Sequence, residues 1–297
     1  MARYLTFHRD LPDGVEIKTV TVKQELTGEW FATLGVETPN DPPAKPDEVA
    51  TVVGIDVGIL KYAHDTDGTA VESSDLRDER ERLERAQRSL SRKEHGSNNW
   101  EEQRKTVARR HADLRRKHRD FLHKLSNYYA REYDLVAVED LDATGLIELP
   151  GNSRNRAGAA WGTFLRMLEY KCEREGTHFV AVEPAGTTKE CAACGVSTDK
   201  PLWVREHSCP SCGFTADRDW NAAYNILVRG LKQVGTGCPE STSPEIEDFW
   251  CANESRSDLL TPAETALPTR THSVPAKRVV ETGSPTLKKR AANAASE

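Results

Sequence analysis

The sequence predicts a layered α/β domain in which a mixed sheet is flanked by helices, a four-cysteine ribbon is inserted ahead of the last helix and a β-hairpin stands in front. Three observations predict it. Short apolar runs that contain or end in an acid, Gly54-Ile-Asp-Val-Gly58 and Leu135-Val-Ala-Val-Glu139, alternate with segments of helical periodicity, as strands covered by helices do. Two knuckles of identical spacing, Cys191-Ala-Ala-Cys194 and Cys209-Pro-Ser-Cys212, interrupt the last strand-to-helix passage. Beyond Gly230 the periodicity dissolves into Thr, Ser, Pro, Glu and Ala.

Taken in order, residues 15–36 alternate in two runs around Leu26-Thr-Gly28, the signature of a hairpin. A Pro-rich linker follows at residues 39–48. The first core strand runs from Ala50 to Val57, turns at Gly58, and continues into two shorter strands at residues 60–64 and 69–72. Two long charged helices are expected over residues 76–92 and 99–131, with Leu83, Leu90, Val107, Leu114, Phe121, Leu122 and Leu125 as their buried stripe. A strand at residues 135–139 comes next, then a helix at 160–176 with Trp161, Phe164, Leu165 and Leu168 inward. A strand at 178–182, the ribbon and a last helix complete the order. The resulting boundaries are 1–48 for the hairpin and linker, 49–231 for the main domain (with the helical pair at 76–131 and the ribbon at 186–216), and 232–297 for a tail expected to be disordered.

Each knuckle lets two thiolates hold one ion from a tight turn, and two knuckles complete the four-sulfur shell of a closed structural Zn²⁺ site. Cys191, Cys194, Cys209 and Cys212 are therefore the expected zinc ligands, with iron admitted by the same sulfurs and favoured less by paired knuckles. The rival readings are a redox pair or disulfides, but redox work needs one such motif and nothing in the sequence indicates export. Four thiolates leave no open position for substrate. Cys172 reads as a helix-core residue, Cys238 and Cys251 as incidental, and His207 as a bystander.

The 297 residues suffice for one substantial core plus a small module, and no apolar run approaches a membrane span. The expectation is a soluble chain, cytoplasmic and associated with the nucleoid. Its 41 basic and 47 acidic residues give a net charge of -6, which alone argues against a nucleic-acid partner. The distribution reverses that inference. Residues 77–119 hold fifteen Lys or Arg against eight Asp or Glu. Some of these form ordinary i,i+4 pairs, such as Glu81 with Arg85. Arg104, Lys105, Arg109, Arg110, Arg115, Arg116, Lys117 and Arg119 look sparsely matched by acids, so they are the expected phosphate contacts.

The element order is the one expected of an RNase H-like mixed sheet, and it brings three acids toward one another: Asp56 in the first core strand, Glu139 ending the fourth, and Asp219 in the first turn of the last helix. Hard Mg²⁺ or Mn²⁺ ions prefer oxygen ligands, and a pair of them about 4 Å apart can activate water and stabilise a leaving 3′ oxygen. Taken singly, two of the acids have plain structural uses, a turn or an ion pair for Asp56 and a favourable charge at a helix N-terminus for Asp219, and the neighbouring Asp217 reads as an N-cap.

Gly54-Ile-Asp-Val-Gly58, Val136-Ala-Val-Glu-Asp-Leu141, the two knuckles and Asp217-Arg-Asp-Trp-Asn-Ala-Ala-Tyr-Asn-Ile226 together resemble the TnpB, or OrfB-type, transposases of insertion sequences, relatives of the type V CRISPR effectors. The resemblance covers residues 15–231. It implies a RuvC-like nuclease with a zinc ribbon that cleaves DNA under the direction of a transposon-derived guide RNA. It also implies that Asp56, Glu139 and Asp219 are the catalytic acids, Asp219 rather than Asp217 matching the metal ligand by its place two residues before Asn221. The family carries a wedge domain and a helical recognition domain ahead of the nuclease, whereas only residues 1–48 precede the first motif here, and the hairpin resembles the wedge's closing strands. A shortened chain that binds nucleic acid without cutting it is the alternative expectation.

Overall fold

A computed structural model describes residues 11, 14–37, 41–142, 159–201 and 203–235. Most of the expected tail, with Cys238, Cys251 and residues 288–290, lies outside the described residues, as do two residues of the linker. The chain divides into two compact units, one drawn from Met1–Pro42 and Asp75–Asp120, the other from Pro43–Ser74 and Phe121–Glu297.

In the first unit, β1 (Glu16–Gln24) and β2 (Trp30–Glu37) form the expected antiparallel hairpin. Helix α1 (Arg77–Leu90) and the first part of α2 (Asn98–Glu132) complete the unit. Its core is thin: Leu83 and Ala86 of α1 and Ala112 of α2 are buried, but Leu90, Val107 and Leu114, expected in the buried stripe, are only half-buried. A two-stranded ribbon and a helical pair have too little apolar surface between them to enclose every turn of helices so rich in charge.

The second unit is built on a five-stranded mixed sheet of order β5-β4-β3-β6-β7. Strands β3 (Val52–Val57), β6 (Leu135–Glu139) and β7 (His178–Val182) run parallel, while β4 (Ala63–Asp65) and β5 (Ala70–Val71) run antiparallel at one side. Both faces are covered. Val53 and Ile55 pack with Phe121, Leu122 and Leu125 of α2 and with Phe164 and Leu168 of α3 (Trp161–Glu175). Val52, Leu135, Ala137, Val180 and Val182 pack with Tyr224, Leu227 and Leu231 of α4 (Arg218–Val234) and with Cys191, Cys209 and Phe214. Strands covered on both faces need continuous apolar runs, which is how Val-Val-Gly-Ile and Leu-Val-Ala-Val read. Cys172 is buried in α3, as its sequence context suggested, whereas Leu165 is only partly buried. Helix α4 continues past Gly230 to Val234, because Leu231 still has a core to enter, and ends at Gly235. Among the described residues no helix is long and apolar enough to cross a membrane.

One contact fixes how near α4 comes to the sheet. A Cβ added to Gly54 would lie 2.1 Å from the carbonyl oxygen of Ala223 and 2.8 Å from the Cβ of Leu227. Any larger residue must push the helix away. We expect Gly54→Ala to cost about 2 kcal/mol or more in thermal or urea unfolding, at the upper end of overpacking penalties. An unchanged unfolding midpoint would mean that the helix does not seat as closely as described.

Candidate active site and metal centre

Alternation along the strands decides which face the acids occupy. Val52, Gly54 and Asp56 point to the α4 side of β3, and Leu135, Ala137 and Glu139 to the same side of β6, with Ile55 aligned to Val138. Asp219 enters from above, in the first turn of α4. The preceding residue, Asp217, is the helix N-cap: its Oδ1 accepts from the backbone N–H groups of Asp219 (2.9 Å) and Trp220 (3.2 Å). That bonding uses Asp217 for helix initiation and leaves Asp219 as the carboxylate beside the sheet.

The three acids repel one another through poorly solvated space. Burial holds the Asp56 carboxyl well above its ordinary range, and the charges of Glu139 and Asp219 raise it further. Burial likewise raises Glu139, opposed by the hydroxyl of Thr187, which donates to its Oε1 at 2.5 Å. Asp219 is also raised by burial, against the pull of the Arg205 guanidinium, with which it forms an ion pair. The three side chains come from three elements and share one field, yet they do not form a cluster as tight as the cysteines.

Residues that the sequence did not single out complete the surroundings. His64 pairs with Asp56 across β3 and β4 and is buried, which together with Lys61 pushes its imidazole down to about 4, so it is neutral at neutral pH. Trp220 donates through Nε1 to the carbonyl of Thr66 (2.9 Å), and the Thr66 Oγ1 accepts from the Gly54 N–H at 3.2 Å. Helix α4 and strand β3 are thus pinned to the same loop. Asn221 accepts from Ala192 N–H (2.9 Å) and donates to the carbonyl of Glu190 (2.8 Å), while Asn225 donates to the carbonyls of Thr187 and Glu190. Two amides four residues apart on a helix face that is otherwise apolar were the available sequence signal. Thr187 and Arg205 carried none.

The cysteines meet. Their four Sγ atoms all lie within 4.8 Å of one another, and among the described residues no other group of three or more His, Cys, Asp or Glu side chains gathers so closely. Cys191 to Cys212 measures 3.7 Å and Cys194 to Cys209 measures 3.6 Å. These are too long for disulfides and close to the edge, ~3.8 Å, of a tetrahedron with Zn–S bonds of about 2.3 Å. The knuckles are built alike: Gly195 and Gly213 each adopt positive φ and donate an N–H to the carbonyl of the first cysteine of their pair, Cys191 or Cys209. Strand β8 (Glu206–Ser208) leads into the second knuckle, and β9 (Thr215–Asp217), paired antiparallel with it, leads from the knuckle into α4. His207 is fully buried and outside the cluster, with neither ring nitrogen bonded.

Of the basic residues expected to meet phosphate, five already face carboxylates. Arg104 pairs with Glu101 (2.9 Å), Arg110 with Asp113 (3.7 Å), Arg115 with Glu25 (3.3 Å), Arg116 with Glu29 (2.7 Å), and Lys117 with Glu79. The expectation that these cations are sparsely matched by acids is corrected for these five: Glu101 and Asp113 are local partners, while Glu25 and Glu29 come from the hairpin and Glu79 from α1, far away in sequence.

Comparison with known proteins places this architecture. Residues 33–149 match the family model described as "Probable transposase", that of OrfB, and residues 161–226 match the "Cas12f1-like, TNB domain". A protein of Streptomyces pristinaespiralis is 39% identical over 82% of this chain and 60% of its own length. InsQ of Escherichia coli strain K12 is 34% identical over 74% of this chain and 58% of its own. Both are named "Putative RNA-guided DNA endonuclease". A solved Cas12f1-sgRNA-target DNA complex superposes with a TM-score of 0.47 at 18% identity, covering 67% of this chain and 42% of the other. The chain is a relative of the TnpB, or OrfB-type, insertion-sequence transposases, and it spans about 60% of the length of these two curated relatives.

Two outcomes follow from the site. The metal content of purified protein should be one zinc per chain, lost in Cys191→Ser and Cys209→Ser variants; iron or no metal by mass spectrometry would overturn the zinc assignment. A group whose folded pKa is raised contributes stability that is present below its ordinary pKa and is lost as pH rises through the raised value, so the buried Asp56 carboxyl opposes folding above the ordinary carboxylate range. Asp56→Asn should therefore raise the melting temperature of protein free of divalent cations at neutral pH, with the gain shrinking toward pH 4. A melting temperature lowered at neutral pH would contradict the burial argument.

Proposed function

We propose that the chain is a metal-dependent DNA endonuclease with an RNase H-like, RuvC-like catalytic domain over residues 49–231, directed to its target by a transposon-derived guide RNA. The observation that carries the proposal is the shared field of Asp56, Glu139 and Asp219, three carboxylates delivered by two parallel strands and a helix N-terminus to one side of the sheet. The sheet order β5-β4-β3-β6-β7, with only β4 and β5 antiparallel to the rest, supports the fold assignment. The relatives' names support DNA as substrate and RNA as guide.

Three carboxylates raised by burial, one of them raised further by the other two, are suited to divalent cations, which relieve the charge that the chain itself leaves standing. Bound Mg²⁺ or Mn²⁺ supplies activation of water and stabilisation of the leaving oxygen. The chain's own residues do the rest. Asp56, Glu139 and Asp219 offer the oxygen ligands, and Thr187 orients the Glu139 carboxylate through its hydroxyl. Arg205, beside Asp219 at the ribbon end of the site, offers a planar guanidinium where the attacked phosphate gathers negative charge. In the reaction, water oxygen forms a bond to phosphorus while the bond from phosphorus to O3′ breaks, leaving a 5′ phosphate and a 3′ hydroxyl that takes up a proton. The four thiolates hold zinc as a structural ion, since no open position is left for substrate. The cations of the helical pair hold backbone phosphates without reading bases.

Asp56→Ala, Glu139→Ala and Asp219→Ala should each reduce Mg²⁺- or Mn²⁺-dependent nicking of single-stranded or guide-paired DNA at least ~1,000-fold, with circular dichroism unchanged. Nicking that survives Glu139→Ala removes the assignment. Binding without product by the unaltered chain supports instead a nucleic-acid-binding protein that does not cleave.

A further inference from the structure

Helix α1 carries a cationic hollow that the proposed site does not use. Arg85, Arg88, Ser89, Arg92 and Lys93 line a depression of about 480 Å³ at its C-terminal end. Arg85 and Arg88, at i and i+3, share one face of the last turns of the helix, Ser89 adds a hydroxyl beside them, and Arg92 and Lys93 follow in the turn beyond the C-cap Ser91. Arg85 has a partner, Glu81 at 3.4 Å. Among the described residues Arg88, Arg92 and Lys93 form no ion pair, and no carboxylate lines the hollow.

A second depression on the same unit supplies the contrast. It is lined by Glu79, Arg82, Arg110, Asp113, Arg116 and Lys117 and carries its own acids. Lys117 is held by Glu79 and Arg116 by Glu29, with Arg116 also lying over the ring of Phe31 at 5.4 Å. A polyanion approaching there must first displace carboxylates. At α1 it meets four cationic side chains converging on open solvent, in a chain whose net charge is -6. A helix C-terminus favours one or two cations through its dipole, but that effect falls off within the last turn and does not account for Arg85 and Lys93 on the same hollow. Four like charges there repel one another, and an anion with several regularly spaced charges relieves all four at once.

We propose that this α1 hollow is a docking site for the phosphodiester backbone of a nucleic acid, and that it dominates over the acid-matched cations of α2. The proposal rests on the reading of the chain as acting on nucleic acid, and refines it by moving the principal backbone contact from residues 104–119 to residues 85–93. Arg85, Arg88 and Arg92 would each grip a phosphate in bidentate fashion, Lys93 would act as a point charge, and Ser89 would donate to a phosphate oxygen. None of these contacts reads a base, so the site accepts RNA or DNA backbone by the same chemistry.

The test uses the full chain and end-labelled probes, a short DNA duplex and an RNA stem-loop, followed by fluorescence anisotropy across a potassium chloride series without added divalent cation. The combined variant Arg85→Gln, Arg88→Gln, Arg92→Gln, Lys93→Gln should weaken binding of at least one probe about 10- to 100-fold and lower the slope of log affinity against log salt by about three. The probe that loses more identifies which strand chemistry docks there. The comparison variant Arg110→Gln, Arg115→Gln, Arg116→Gln should lose no more than about threefold. An α1 variant with unchanged affinity and slope, a larger loss in the α2 variant, or an unaltered chain that binds neither probe overturns the proposal, once circular dichroism shows the helices intact. The nuclease reading fails separately: a chain that binds through α1 and never nicks loses that reading and keeps this one, and a chain that nicks with its α1 variant unaffected does the reverse.

Discussion

The approach of α4 to β3 is the constraint on which the rest depends. Strand β3 presents Val52, Gly54 and Asp56 to the helix, and the hydrogen atom at Gly54 is what allows the Ala223 carbonyl and the Leu227 side chain to come so near. With the helix seated at that depth, its first turn brings Asp219 into the field of Asp56, and parallel pairing of β3 with β6 brings Glu139 to the same face. The assembled acids oppose folding while they are ionised and unscreened. Thr187 and Arg205 offset part of that cost locally, and the apolar packing of both sheet faces carries the remainder.

The ribbon is tied into this arrangement rather than appended to it. Asn221 and Asn225 bond the backbone at Thr187, Glu190 and Ala192, Arg218 donates to the carbonyls of Pro201 and Val204, and Cys191, Cys209 and Phe214 share a core with α4. The segment that carries Thr187 to Glu139 and Arg205 to Asp219 is therefore the same one that the four thiolates close. Under the proposed function, an ion held by the four thiolates would act on the site by holding those two residues in place, as supporting shells do in metal enzymes generally.

Much of this was legible before any coordinates. Both long helices, the hairpin, the succession of elements along the chain and the four-sulfur cluster follow from local rules: alternation, helical periodicity, turn residues and ligand spacing. Asp217 was legible as an N-cap because capping is also a local rule. What escaped reading depends on residues that meet only after folding. Glu25, Glu29 and Glu79 neutralise α2 from other elements, so counting charges along the chain understated how far Arg115, Arg116 and Lys117 are matched by acids. Thr187 and Arg205 have no distinguishing spacing, and their importance lies in which carboxylate each meets. Leu90, Val107 and Leu114 kept a helical period without finding a core deep enough to bury them.

The account stands on three carboxylates sharing divalent cations. The most direct measurement is anomalous scattering from crystals of the protein soaked in Mn²⁺. Two peaks about 4 Å apart, bounded by the carboxylate oxygens of Asp56, Glu139 and Asp219 with Arg205 swung off Asp219, are what the account predicts. Manganese bound elsewhere, with these three side chains unligated at saturating concentration, would contradict it.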